Sequence, residues 1–301
     1  MKIKYTLTGI IILLACFSCS CSHKNDNVSI SVDLYESIDE SSSFEKKENT
    51  KLQGKQAEYG VFIGVDPEQA DIFSGYKTIV IDAAYYEKSD ITKLHRDGIT
   101  VYSYLNVGSI EDFRDYFSDY KDLILGEYDN WPGEYWVDVT ALEWQNHIQQ
   151  QAGLLAEKGV DGFFIDNADV YYQFHNPEIL QGLTDILNQL GSYNKDIIIN
   201  GADVFVTEAV LEPDSPKIEI TGVNQECVFT NIDFEQAKLV RQSEENKVYY
   251  QEYIKQCEEK GLFVFLLEYS EDDTLLPEIT EYCDQNNFRF YISKSVGLER
   301  E

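Results

Sequence analysis

The stretch that decides the fold is Glu157-Lys158-Gly159-Val160-Asp161-Gly162-Phe163-Phe164-Ile165-Asp166-Asn167. A charged helix end stops at a glycine, an apolar run follows, and the run finishes on a carboxylate. Two other junctions repeat it: Arg96-Asp97-Gly98 leads into Ile99-Thr100-Val101-Tyr102-Ser103-Tyr104-Leu105-Asn106, and Glu259-Lys260-Gly261 leads into Leu262-Phe263-Val264-Phe265-Leu266-Leu267-Glu268-Tyr269. Each reads as a helix closed by a C-terminal glycine and followed by a buried strand. Continuous apolar strands alternating with helices imply a parallel sheet covered on both faces.

Six more strand candidates flank these: Tyr59–Gly64, Thr78–Asp82, Tyr135–Asp138, Asp196–Asn200, Ile218–Glu226 and Arg289–Ile292. Nine candidates exceed by one what a (β/α)8 TIM-type barrel needs in about 250 residues, so one must be short, extra or outside the ring. A doubly wound open sheet is the competing α/β fold, but its usual glycine-rich phosphate loop is missing. The barrel is preferred, as a single domain over residues 57–301.

The composition excludes several functions. The chain has 301 residues and a formal net charge of -30, and the acidic excess lies in the body. Nucleic acid is therefore an unlikely partner, because phosphate binding needs clustered Lys and Arg. His23, His95, His147 and His175 form no metal-binding pair, so no metal or other cofactor is expected. Phosphate-loop and serine-hydrolase motifs are absent too. His147 and His175 read as surface or capping groups.

The amino terminus reads as an export signal. Lys2 and Lys4 precede an apolar run from Leu7 to Phe17, too short to span a bilayer, containing Leu13-Leu14-Ala15-Cys16. A small residue followed by cysteine resembles a lipobox, with Cys16 as the lipidated residue and membrane anchor; Cys19 and Cys21 fit less well. Residues 1–21 are assigned to this anchor region. Residues 22–56, with seven Ser and few apolar residues, read as a flexible tether about 30–35 Å in reach. The body retains Cys227, Cys257 and Cys283, an odd number that permits one bridge at most.

The chemistry sits at the strand ends, which finish in Asp82, Asn106, Asp138, Asp166-Asn167, Asn200, Glu226 and Glu268. In a barrel these ends converge on one mouth. Asp and Asn also start loops and cap helices, so no single end is decisive. Asp166 closes a rigid apolar strand, and Glu226 closes Asn224-Gln225-Glu226. A carboxylate pair flanking a glycosidic bond is what acid-catalysed glycoside cleavage needs. Substrate contacts are expected from Asp82, Tyr85, Tyr104, Asn106, Asp138, Asn167, Asp169, Asn200, Asn224, Gln225 and Glu268. Aromatic pairs such as Tyr85-Tyr86 and Tyr171-Tyr172 follow strand ends, and Trp131 and Trp136 flank a strand; such rings stack on sugars or simply pack. Trp144 reads as core with Ile148 and Leu155. Cys227 reads as a small buried thiol.

The stretches Ser103–Arg114, Val160–Asp169 and Val223–Cys227 are similar to glycoside hydrolase family 114, the endo-α-1,4-polygalactosaminidases, and the resemblance runs from Tyr59 to Ile292. It implies a (β/α)8 barrel that hydrolyses internal α-1,4 bonds of galactosamine-containing exopolysaccharide, with catalytic carboxylates at the positions of Asp166 and Glu226. Asp166 is assigned as nucleophile and Glu226 as acid/base, a division that sequence does not settle. The chain departs from the family at Ser109, where relatives often carry an acid. An acidic mouth suits a cationic, partly deacetylated polymer. A surface-anchored monomeric hydrolase is the first expectation. The alternatives are a glycan-binding lipoprotein without turnover and a glycosidase of different linkage or sugar.

Overall fold

A computed structural model describes residues 58–299 except 214 and 217. The stretches read as export signal, Cys16 anchor and tether lie outside the described residues. Thirteen strands occur among those described: β1 Tyr59–Phe62, β2 Thr78–Ile81, β3 Thr100–Asn106, β4 Ser109–Glu111, β5 Ile124–Glu127, β6 Glu134–Val137, β7 Gly162–Asp166, β8 Asp196–Asn200, β9 Gly222–Glu226, β10 Thr230–Asp233, β11 Lys238–Arg241, β12 Phe263–Tyr269 and β13 Arg289–Ser293.

Eight of them form one sheet in the order β1-β2-β3-β7-β8-β9-β12-β13, every neighbouring pair parallel. The ends of the sheet come together: Phe62 packs on Tyr291 with ring centroids 5.1 Å apart, and Gly64 N–H donates to Leu298 O at 3.1 Å. The sheet is a nearly closed (β/α)8 barrel. Burial on both faces explains the unbroken apolar runs of β2, β7 and β8.

The three helix-to-strand junctions behave alike. Gly98, Gly159 and Gly261 adopt φ of 79°, 103° and 90°, which L side chains resist, and each is followed by a ring strand. The helix Leu142–Lys158 turns Trp144, Ile148, Ala152 and Leu155 onto the barrel at helical spacing. Trp144 is core, its Nε1 donating to Val107 O at 2.8 Å.

The structure settles two readings left open by the sequence and corrects a third, that of His147. The candidate at Tyr135–Asp138 is the one outside the ring: as β6 it is the middle strand of an antiparallel sheet with β4 and β5, inserted between β3 and β7. His147 is not a surface group but is buried among Tyr116, Tyr120 and Trp144, and burial lowers its pKa to about 4. Cys227, Cys257 and Cys283 are all free thiols.

Candidate active site

The carboxyl ends of β2, β3, β7, β8, β9 and β12 surround a cavity of about 640 Å³. At its floor, Asn200 Nδ2 donates to Asp166 Oδ1 at 2.9 Å and to Glu226 Oε1 at 2.7 Å. The two acceptor oxygens can be no farther apart than these bonds laid end to end. The nearest oxygens of the two carboxyl groups are thus close enough for both to reach one glycosidic bond.

Each acid is held by its own surroundings. Both are followed by residues in left-handed backbone, Asn167 at φ 62° and Cys227 at φ 57°, so the chain turns sharply away and leaves the carboxylate at the tip. Beside Asp166, Val107 N–H donates to Asp166 O at 3.1 Å. Gly108 passes so close that a Cβ there would lie 1.8 Å from Asn167 O, which makes glycine obligatory. Next to Glu226, Tyr269 Oη donates to Glu226 Oε2 at 2.9 Å.

The environments push both acids upward. Burial, then the charge of Asp166, raises Glu226 to about 7, against hydrogen bonds from Asn200 and Tyr269. Asp166 is also raised by burial, but the Asn200 amide, the Asn167 N–H and the Tyr104 hydroxyl all favour its charged form. Asp166 thus accepts one more hydrogen bond that favours its anion than Glu226 does.

Of the residues expected from sequence, Asp82, Tyr85, Tyr104, Asn167, Asp169 and Asn200 line the cavity with the two acids. Asp82 pairs with Arg114 at 2.9 Å, and Arg114 is also held by Glu111 at 3.0 Å. Burial works against the Arg114 charge, but Glu111 and Asp82 outweigh it.

Five expected contacts lie away from the cavity. Asn106 is buried, donating to Ser109 Oγ at 2.7 Å and Glu134 Oε1 at 3.3 Å. Asp138, at the end of β6 and not of a ring strand, accepts from Thr140 N–H and Oγ1 at 2.9 and 2.6 Å. Asn224 lies inside the barrel, between Tyr59 and Asn200. Gln225 and Glu268 fall on the opposite parity from Glu226 and Tyr269, so their side chains leave the barrel lumen. Gln225 Nε2 reaches only the backbone O of Glu226. Glu268, fully buried, accepts from the N–H groups of Val228, Phe229 and Thr230 and from Thr230 Oγ1. It builds the turn after Glu226.

Sequence reasoning missed Glu134, Tyr128 and Tyr269, which also line the cavity. Glu134 reaches it from outside the ring, and burial raises its pKa to about 7. Ser109 donates to Glu134 Oε1 and accepts from Asn106 and Asn167, both at 2.7 Å, so the departure at Ser109 places a hydroxyl where three strand ends meet. The Cys227 thiol is pushed up by burial, then by Glu226 and Glu268, and is no nucleophile.

The profile of glycoside-hydrolase family GH114 matches residues 39–296. The chain belongs to this family. It is a glycoside hydrolase. The match begins inside the stretch read as tether. Over 110 residues the chain is 28% identical to an uncharacterized protein of Thermotoga maritima, a match spanning 33% of this chain and 34% of that protein. The fold is similar to the glycoside hydrolase domain of PelA from Pseudomonas aeruginosa, with TM-score 0.68, 16% identity, and 81% of this chain and 96% of that one covered. It is also similar to Aspergillus fumigatus Ega3 in complex with galactosamine, with TM-score 0.61, 19% identity, and 85% and 98% covered.

Proposed function

We propose that this hydrolase cleaves internal α-1,4 bonds of a galactosamine-containing exopolysaccharide and retains the anomeric configuration. The observation that carries the mechanism is the sharing of Asn200 Nδ2 by Asp166 and Glu226. Protonated Glu226 donates its proton to the glycosidic oxygen as the bond from that oxygen to the anomeric carbon breaks. Asp166 attacks the anomeric carbon from the opposite side and forms a glycosyl ester. Glu226, now a carboxylate, takes a proton from water, and that water's oxygen displaces Asp166.

The charge of the cavity supports an amino-sugar substrate. Seven carboxyl groups line it (Asp66, Asp82, Glu111, Glu134, Asp166, Asp169 and Glu226), and Arg114 is the one basic lining residue among those described, already committed to two of them. Such a site favours an ammonium-bearing sugar and repels a uronate. The galactosamine held by Ega3 is in keeping with this choice. Export and lipid anchoring through Cys16 belong to the same proposal, supported by the apolar run and lipobox-like Leu13–Cys16; labelling with palmitate that a Cys16→Ser chain fails to take up would test it.

Incubation of the chain with deacetylated and acetylated galactosaminoglycan, followed by mass spectrometry, tests the function. Internal fragments with new reducing ends are expected from the deacetylated polymer. No fragments from either polymer would reject the substrate.

A further inference from the structure

The turn between β5 and β6 is braced on every side. Trp131 N–H donates to Tyr128 O at 3.2 Å, Glu134 N–H donates to Trp131 O at 3.1 Å, and Asp112 N–H donates to Gly133 O at 2.7 Å. Tyr128 stacks on the buried Trp136 ring at 4.0 Å. The Trp131 side chain lines the cavity and is 36% exposed. Three residues on, Glu134 Oε1 accepts from Asn167 Nδ2 at 2.7 Å, and Asn167 directly follows Asp166.

A second excursion arrives from the other catalytic strand. Beyond Glu226 the chain passes through the turn held by Glu268 into the β10–β11 hairpin, where Gln236 N–H closes the tip on Asp233 Oδ1 at 2.8 Å. Phe234, at that tip, is 42% exposed and meets Trp131 with ring centroids 6.0 Å apart and planes at 74°. In an edge-on contact the rim of one ring meets the face of the other. Whichever ring offers its rim, at least one indole face stays uncovered by Phe234.

We infer that Trp131, propped by Phe234, is a stacking platform for the saccharide unit next to the one held between Asp166 and Glu226. The inference rests on the reading of this cavity as a polysaccharide hydrolase site. The ligand is an aminohexose ring within a polymer: its C–H bonds lie against the indole, and its ammonium is drawn both by the ring quadrupole and by Glu134 and Asp169 nearby. Because the turn is fixed by its own hydrogen bonds, binding orders little that was loose before.

The test uses the fluorescence of the indoles. Trp136 and Trp144 are 5% and 1% exposed, so a ligand in the cavity meets Trp131. The full chain carrying Asp166→Asn is titrated with a disaccharide and a hexasaccharide of deacetylated galactosaminoglycan. The hexasaccharide is expected to quench and blue-shift the emission, and Trp131→Phe on the same background to abolish that change. In the active chain, Trp131→Ala is expected to lower kcat/KM on polymer about tenfold, mainly through KM, and to cost clearly less on a one-sugar aryl glycoside. Phe234→Ala should act in the same direction with a smaller effect. Unchanged emission with oligosaccharides that the wild-type chain cleaves would overturn the platform while leaving the hydrolase reading intact. Equal losses on polymer and aryl glycoside would overturn it too. An emission change without any cleavage would keep the platform and remove the hydrolase reading.

Discussion

Asn224 Nδ2 donates to Asn200 Oδ1 at 2.6 Å, and that bond decides which end of the Asn200 amide faces the two acids. Tyr59 Oη in turn donates to Asn224 Oδ1 at 2.9 Å, so a relay from β1 through β9 fixes the donor on β8. With its oxygen occupied, Asn200 can present only Nδ2 to Asp166 and Glu226. Asn200→Ala removes hydrogen bonds to both reacting groups, each worth about 1.5–3 kcal/mol when one partner is charged. The expected result is a kcat lower by about 10–1,000-fold, together with a loss of about 1–3 kcal/mol of stability because the buried Asn224 Nδ2 is left without its acceptor. Steady-state kinetics beside thermal unfolding would check it.

Replacement of the acids should separate their roles. Asp166→Asn is expected to abolish turnover of every substrate, because no ester forms. Glu226→Gln is expected to abolish polymer cleavage but to keep formation of the glycosyl-enzyme from a sugar with a fluoride leaving group, which needs no proton. A burst of fluoride from the Glu226→Gln chain and none from the Asp166→Asn chain is the expected pattern.

The pH profile follows from the same assignment. Glu226 must carry a proton to act as the acid, and its pKa is raised to about 7. Activity on polymer should therefore fall as pH rises through about 7, and the Glu226→Gln chain acting on a glycosyl fluoride should lack that limb.

Stability should move the same way. Glu134, Asp169, Glu226 and Glu268 are each raised to about 7, with burial the first cause in every case. Between the ordinary carboxylate range and pH 7 the folded chain holds more protons than the unfolded one, so stability is fullest at the acidic end of this window and is lost as pH rises through it. The melting temperature should be higher at pH 5 than at pH 8, and Glu226→Gln should lessen the difference. A melting temperature that rises from pH 5 to pH 8 would contradict the shifts.

Glu268 lies on the same strand as Tyr269 but does a different job. Glu268→Ala would leave three buried N–H groups around residues 228–230 without an acceptor, a loss of about 3–5 kcal/mol. Denaturant unfolding should register that drop, and Glu268→Gln, which keeps one acceptor oxygen, should lose less.

Much of this was legible in the sequence. The three glycine-stopped helices announce themselves because no other residue relaxes at those φ values, and the apolar strands between them have no solvent face to interrupt the run. Asp166 and Glu226 stand out because a carboxylate at the tip of such a strand has a reason beyond packing. What could not be read was parity and company. Gln225 and Glu268 sit one residue away from lumen-facing positions, and a period of two sends them outward. Asp138 looked like the others because β6 carries the same apolar pattern, although it pairs antiparallel outside the ring. Glu134 stayed hidden for the converse reason: it begins a strand, and only the tertiary turn at Gly108 and Ser109 carries it to Asp166.

Trapping distinguishes the carboxylate that attacks the sugar, Asp166, from the one that supplies the proton, Glu226. A 5-fluoro-galactosaminyl fluoride slows the release of the ester more than its formation, so peptides from the treated chain can be weighed by mass spectrometry. One added sugar on the peptide containing Asp166 is expected. A sugar found on another residue, or products of inverted configuration with no adduct at all, would contradict it.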